Sequence, residues 1–200
     1  MSALPVEPEV LDLLASVLDY PNAETRSLCA TLAARLTIER PAAGQALEEF
    51  RSQAAALSAE ELEELYTSTF DVNPACCLYV GHHLFGESYK RGAFMATLNG
   101  EYRAREFATG NELPDHLCVM LRFIASGQGD ELARGLVEEA LLPALRKIVK
   151  AFRESQNIYG ALLRATLLAL SGGDSDKSEP ADRELPVINA PQTPSMGWES

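Results

Sequence analysis

Residues 113–124 read Leu-Pro-Asp-His-Leu-Cys-Val-Met-Leu-Arg-Phe-Ile, and the way this stretch folds decides how the rest is read. Leu117, Met120, Leu121 and Ile124 fall at i, i+3, i+4 and i+7, which places them on one face of a helix. Before them, Pro114, Asp115 and His116 set a rigid residue, a carboxylate and an imidazole side by side. Asp115 is the expected N-cap, because its carboxylate can accept from the open N–H groups of the first turn and faces the positive end of the helix dipole. On these grounds alone the stretch is a capped amphipathic core helix.

The same period runs through most of the chain up to Ser171. Val10, Leu13, Leu14, Val17 and Leu18 form an apolar stripe, with Pro8 tolerable in its first turn and Pro21 beyond its end. Further helices are expected over about residues 23–36 and 41–56. Ser58-Ala-Glu-Glu61 is a capping box flanked by a Leu57/Leu62 staple, and it opens a helix that Asp71-Val-Asn-Pro74 ends. Residues 76–85 allow a short strand through Val80 and Tyr79. No second strand-like segment is available to pair with it, so a short helix or turn is the better reading. Residues 87–106 read as a long helix with Phe94, Met95, Leu98 and Tyr102 inward and Arg91, Arg103 and Arg105 mostly outward. After a break at residues 126–129, a helix over about 130–142 meets Pro143, which kinks or restarts it, and a last periodic segment holds Tyr159 to Leu170. The fold class expected is all-α: a single-domain bundle of about eight to ten helices spanning residues 1–171, with neighbours antiparallel through short loops.

From Gly172 the composition changes to Gly, Ser, Asp, Glu and Pro, with six acids against two bases. Residues 172–200 are therefore expected to be a disordered acidic tail. Trp198, the single tryptophan, lies there, either unstructured or as a short docking anchor.

Over all 200 residues, 17 basic side chains stand against 29 acidic ones, a net charge of −12. Such a surface repels phosphate backbones and anionic lipid, so nucleic-acid binding is not expected. It suits a cationic partner such as a basic peptide. No apolar run approaches the roughly 18 residues a membrane span needs, and no basic-then-apolar leader pattern opens the chain. The four cysteines form no C-x-x-C, and adjacent Cys76 and Cys77 are poor disulfide geometry, which points to a reduced cytoplasmic protein.

Two classes of function compete. A metal-binding or Cys/His-dependent enzyme would draw on Cys76, Cys77, His82, His83, His116 and nearby carboxylates. Yet neighbouring His82 and His83 cannot easily face one metal, and no H-x-x-x-H, phosphate loop or nucleophile elbow accompanies them. The alternative is a binding module with an apolar trough and a charged rim. Tyr66, Phe70, Leu78 and Tyr79 could line the trough, while Asp71, Glu87 and Asp115 could engage arginine or lysine of a peptide. Each also has a plainer role: Tyr66 and Phe70 as core, Glu87 with Arg91 as an i, i+4 helix pair, His116 as a loop brace.

The order of motifs decides between them. Tyr66-x-x-x-Phe70-Asp71 is followed by His82-His83-x-x-Gly86-Glu87-Ser88-x-x-Arg91-Gly92-x-x-Met95, then by Leu113-Pro114-Asp115-His116-Leu117. Together these resemble the TorD/DmsD/NarJ family of redox-enzyme maturation chaperones, the NarJ branch most closely, strongly over about 60 residues. The resemblance implies a cytoplasmic, non-catalytic helical chaperone. Its partner would be the catalytic subunit of a molybdoenzyme, held through its N-terminal peptide until cofactor is installed and before membrane attachment or export. It implies no stably bound cofactor, the molybdenum cofactor being handled only transiently with the client. It carries a peptide-binding role onto Pro114, Asp115 and His116, and a groove or groove-support role onto Tyr66, Phe70, His82, His83, Glu87 and Arg91. A stable structural subunit of the mature reductase is the remaining possibility. Two positions depart from the NarJ pattern, Cys118 in place of proline and Arg122 in place of an acid, which leaves room for a related client such as a selenate-, chlorate- or hydrocarbon-type enzyme.

Overall fold

The computed structural model describes residues 4, 6–127, 131–153 and 155–172; the proposed tail and Trp198 lie outside them. Among the described residues the chain is all-α: α1 (Pro8–Leu18), α2 (Thr25–Glu39), α3 (Pro41–Ala54), α4 (Ala59–Phe70), α5 (Val80–Phe85), α6 (Tyr89–Ala104), α7 (Leu117–Ser126), α8 (Glu131–Gly135), a π-helical turn (Leu136–Leu141), α9 (Leu142–Ala151) and α10 (Tyr159–Leu170). The capping box forms as the sequence requires: Ser58 accepts from the Glu61 N–H and Glu61 accepts from the Ser58 N–H.

Helix packing runs as a chain of neighbours, from α7 to α1, α2, α3, α10, α9, α5 and finally α6. The apolar face of α7 is fully inside: Leu117, Met120, Leu121 and Ile124 are buried, as are Leu11, Leu14 and Leu18 of α1 against it. α4 enters the core through long side chains. Tyr66, Phe70 and Tyr159 meet edge to face with centroids 4.9–5.7 Å apart, a geometry worth about 1 kcal/mol per pair beyond the area buried.

Pro143 restarts the helix as expected: α9 begins at Leu142 with the proline in its first turn, and the π turn before it accommodates the missing N–H and the ring. Two details differ from the sequence reading. α6 begins at Tyr89 rather than residue 87, because Gly86 turns the chain at φ +62° and leaves Glu87 in the connection. The segment before α5 does pair after all, with the residues that lead into α7. Tyr79 and His116 form an isolated antiparallel bridge, in which the Val80 N–H donates to Asp115 O and the Leu117 N–H to Leu78 O, both at 2.8 Å. That bridge joins the two ends of the chain of helices.

Candidate functional site

The bridge fixes the backbone on both sides of Asp115, and its side chain then has one direction left. Asp115 is 0% exposed and accepts from Arg91 Nε at 2.9 Å and from Nη2 at 3.5 Å. A buried carboxylate needs such a partner, since an uncompensated charge in the interior is costly. The expected N-cap role is therefore corrected. α7 starts at Leu117 behind His116, and no side chain caps it, because Asp115 is turned toward α6 and the first-turn N–H of Leu117 is taken by Leu78 O. Arg91, expected to point outward or to pair with Glu87, lies inward on Asp115.

The surroundings leave no slack. A Cβ on Gly81 would stand 2.7 Å from Asp115 Oδ2 and 3.1 Å from the Phe94 ring, so glycine is required for the carboxylate to lie against α5. Arg91 also sits over the Tyr79 ring, 5.4 Å from its centroid, a cation–π contact that favours the charged guanidinium. Tyr102, buried on α6, donates to Pro114 O at 2.8 Å and so fixes the backbone just ahead of Asp115. Tyr79 meets His116 edge to face at 5.4 Å and donates to Glu112 at 3.3 Å.

His116 is buried, and its Nδ1 has no hydrogen-bond partner. Burial pushes its pKa below the ordinary histidine value, against the pull of Glu112, Asp19 and Asp115, so the ring is neutral near pH 7. His83 is lowered for the same reason. Its Nε2 lies 2.7 Å from the carbonyl of Cys77 and 3.7 Å from the Cys77 thiol. The carbonyl can only accept, so Nε2 carries the proton and cannot take one from the thiol. Burial also raises Cys77 above the ordinary thiol range. The one Cys–His approach in this region is thus a structural contact without nucleophilic competence.

The sequence-named residues separate into three groups. Arg91, Pro114, Asp115 and His116 come together in the junction. Tyr66 and Phe70 sit in the aromatic core, 6% and 4% exposed, and offer no accessible surface in this conformation. Asp71 and Glu87 are exposed on separate connections, and His82 and His83 are half-buried on α5. Gly81 and Glu112 were not singled out from sequence, and Tyr102 was expected only to face inward on its helix, as it does, although each touches the junction; the packing of α5 and α6 against residues 112–116, which brings them there, leaves no local signature. Arg122, the departure from the NarJ pattern, pairs with Asp19 at 2.7 Å and ties α7 to the end of α1.

Among the described residues no three His, Cys, Asp or Glu side chains gather as metal ligands, and no helix is long and apolar enough to cross a membrane.

Comparison with known proteins follows the same lines. The family model described as the nitrate reductase delta subunit matches residues 33–157. The chain is 32% identical over 159 residues to the nitrate reductase molybdenum cofactor assembly chaperone NarJ of Bacillus subtilis (strain 168), covering 78% of this chain and 85% of that one. It is 28% identical over 195 residues to the corresponding NarJ chaperone of Escherichia coli (strain K12), covering 94% and 81%. The crystal structure assigned as a redox enzyme maturation protein of Archaeoglobus fulgidus shares the fold at a TM-score of 0.59 and 22% identity, over 82% of this chain and 93% of that one.

Proposed function

Because the chain belongs to the nitrate reductase delta subunit family, we propose that it is a cytoplasmic assembly chaperone of a molybdoenzyme. It is not an enzyme; its relatives are named for assembly and not for a reaction. Its client is the apo catalytic subunit of a nitrate reductase or a related enzyme, held through its N-terminal peptide while the molybdenum cofactor is inserted and released before membrane attachment or export. The cofactor is cargo of the client and is not held by the chaperone alone. The observation that carries this reading is the match over 78% of the chain to a protein named for molybdenum cofactor assembly of nitrate reductase.

The junction supports the reading in one particular way. Leu113 is 45% exposed and stands beside Glu112 and Tyr79, which form the accessible rim of the Pro114–His116 segment. Asp115 and Arg91 are positioning residues in this scheme: they hold that rim in place and do not themselves reach the peptide. The resemblance also implies groove or groove-support roles for His82, His83, Glu87, Tyr66 and Phe70.

The test is to express the apo catalytic subunit with and without this chain and to measure molybdenum per subunit by elemental analysis. Molybdenum should fall sharply without the chain, and equal loading would overturn the proposal. The family's description also admits a stable subunit of the mature reductase. Recovery of this chain in stoichiometric amount with the purified active enzyme would favour that role over the chaperone's.

A further inference from the structure

We infer that the depression between the end of α1 and the outer face of α4 is the docking surface for a cationic amphipathic segment of the client. This rests on the chaperone reading above and gives the client segment its chemistry. The depression has a volume of about 380 Å³ and is lined by Tyr20, Glu60, Glu63, Glu64, Thr67, Ser68 and Val72. It is therefore neither a purely acidic patch nor a purely apolar one.

The apolar part comes first. Among the described residues only five large hydrophobic side chains are strongly exposed, and two of them, Val72 at 72% and Tyr20 at 47%, line this one concavity. Clustered exposed apolar groups in a hollow rimmed by polar ones mark an interaction surface more often than scattered ones do. The floor is rigid: Tyr20 meets Tyr66 edge to face at 5.4 Å, and Tyr66 is locked against Phe70 and Tyr159. An inserted aliphatic side chain would extend a packed aromatic core rather than fill a soft gap.

The charge decides the occupant. Inward residues of α4 are Leu62, Tyr66, Thr69 and Phe70, so Glu60, Glu63, Glu64 and Thr67 occupy the opposite stripe. No lysine or arginine lines the depression. Glu63 has a neutral partner in it, the Tyr20 hydroxyl at 3.4 Å. The hollow between α2, α3 and α4 behaves differently. Its two arginines are already satisfied, Arg26 by Leu57 O and Arg51 by Glu48. Of these two hollows, the α4 face is the one that leaves a single-signed rim around exposed apolar groups, and a helix with lysine or arginine beside a leucine stripe complements both.

The probe is a synthetic peptide of the first 20 residues of a nitrate reductase catalytic subunit, with a counterpart in which its lysines and arginines are replaced by glutamate. Binding to the full chain is followed by stopped-flow and calorimetry at two salt concentrations. Glu63→Gln with Glu64→Gln should slow association by roughly tenfold and flatten its salt dependence, since rim charges act mainly on the on-rate. Val72→Ser should raise the dissociation rate several-fold, and the charge-reversed peptide should not bind. Glu138→Gln with Glu139→Gln, outside the depression, should change neither rate. If the parent peptide binds and the α4 variants leave its rates unaltered, this surface is wrong and the chaperone reading stands. If the unmodified chain binds no peptide, the client-binding reading itself fails.

Discussion

The Asp115 junction and the outer face of α4 use polar residues in opposite ways. At the junction each side chain is committed inward: Asp115 to Arg91, Arg91 also to the Tyr79 ring, Tyr102 to Pro114 O, and Gly81 kept bare by the carboxylate beside it. On α4 and just past its end, three glutamates and an exposed valine line an open hollow that needs only sign and shape. Directed bonds tolerate few residue types, so the junction carries a recognisable motif. A charged, shallow face tolerates many and carries none. A motif-bearing residue is therefore not by that fact a contact residue. Loss of client binding on changing Asp115 would report a disturbed scaffold as readily as a lost contact.

Three substitutions test that side of the contrast by stability. The largest effect is expected from Asp115→Ala, which strands the Arg91 guanidinium in a site where its side chain is 18% exposed. Breaking a mostly buried pair costs about 3 kcal/mol, a fall of roughly 6–12 °C in Tm for a chain of this size by calorimetry. A shift below a degree would mean the junction does not close the bundle. Next is Gly81→Ala, where a methyl would meet the carboxylate at 2.7 Å; overpacking of this kind costs about 2 kcal/mol, read as a lower denaturation midpoint. Tyr102→Phe keeps the packing and removes only the donor to Pro114 O, leaving a buried carbonyl unpaired at a cost of about 1 kcal/mol. Retention of full stability in that variant would mean the bond at 2.8 Å does not constrain the loop.

What could be read in advance follows from the range over which each interaction acts. The apolar stripes of α1, α7 and α10 and the Ser58–Glu61 box are local, and each appears where the period and spacing put it. The Arg91–Asp115 pair spans 24 residues. Nothing near Asp115 distinguishes a carboxylate that caps its own helix from one pulled away by an arginine on another. For the same reason the bridge between Tyr79 and His116 was invisible: Leu113–His116 does not alternate as a strand, and it pairs through a single rung. The motif order did bring Arg91, Pro114, Asp115 and His116 into one set. It did not say that the set would be closed, nor that Tyr66 and Phe70 would sit apart from it in the aromatic core.

A smaller effect should appear with pH. His116 and His83 are held below the ordinary histidine value by burial, so the folded chain keeps them neutral while the unfolded chain takes up protons near pH 6.5. Their contribution is complete above that value and is lost as the pH falls below it. Tm measured from pH 7.5 down to 5 should therefore decline less steeply in His116→Gln than in the parent chain. Parallel profiles would show that the buried His116 ring is not what resists acid.

The smallest effect belongs to the other member of the comparison. Glu63→Gln, Glu64→Gln and Val72→Ser should each leave stability within about 0.5 kcal/mol in urea denaturation, because the glutamates lie on the polar stripe of α4 and Val72 is already mostly in water. Removing a charge from a like-signed row can even stabilise slightly. Such silence in stability gives these variants their use. Any change they make in client binding cannot be attributed to unfolding, whereas every junction variant carries that ambiguity. If instead they destabilise as much as Tyr102→Phe, the α4 face is part of the scaffold as well, and the distinction between committed and free polar surface does not hold for this chain.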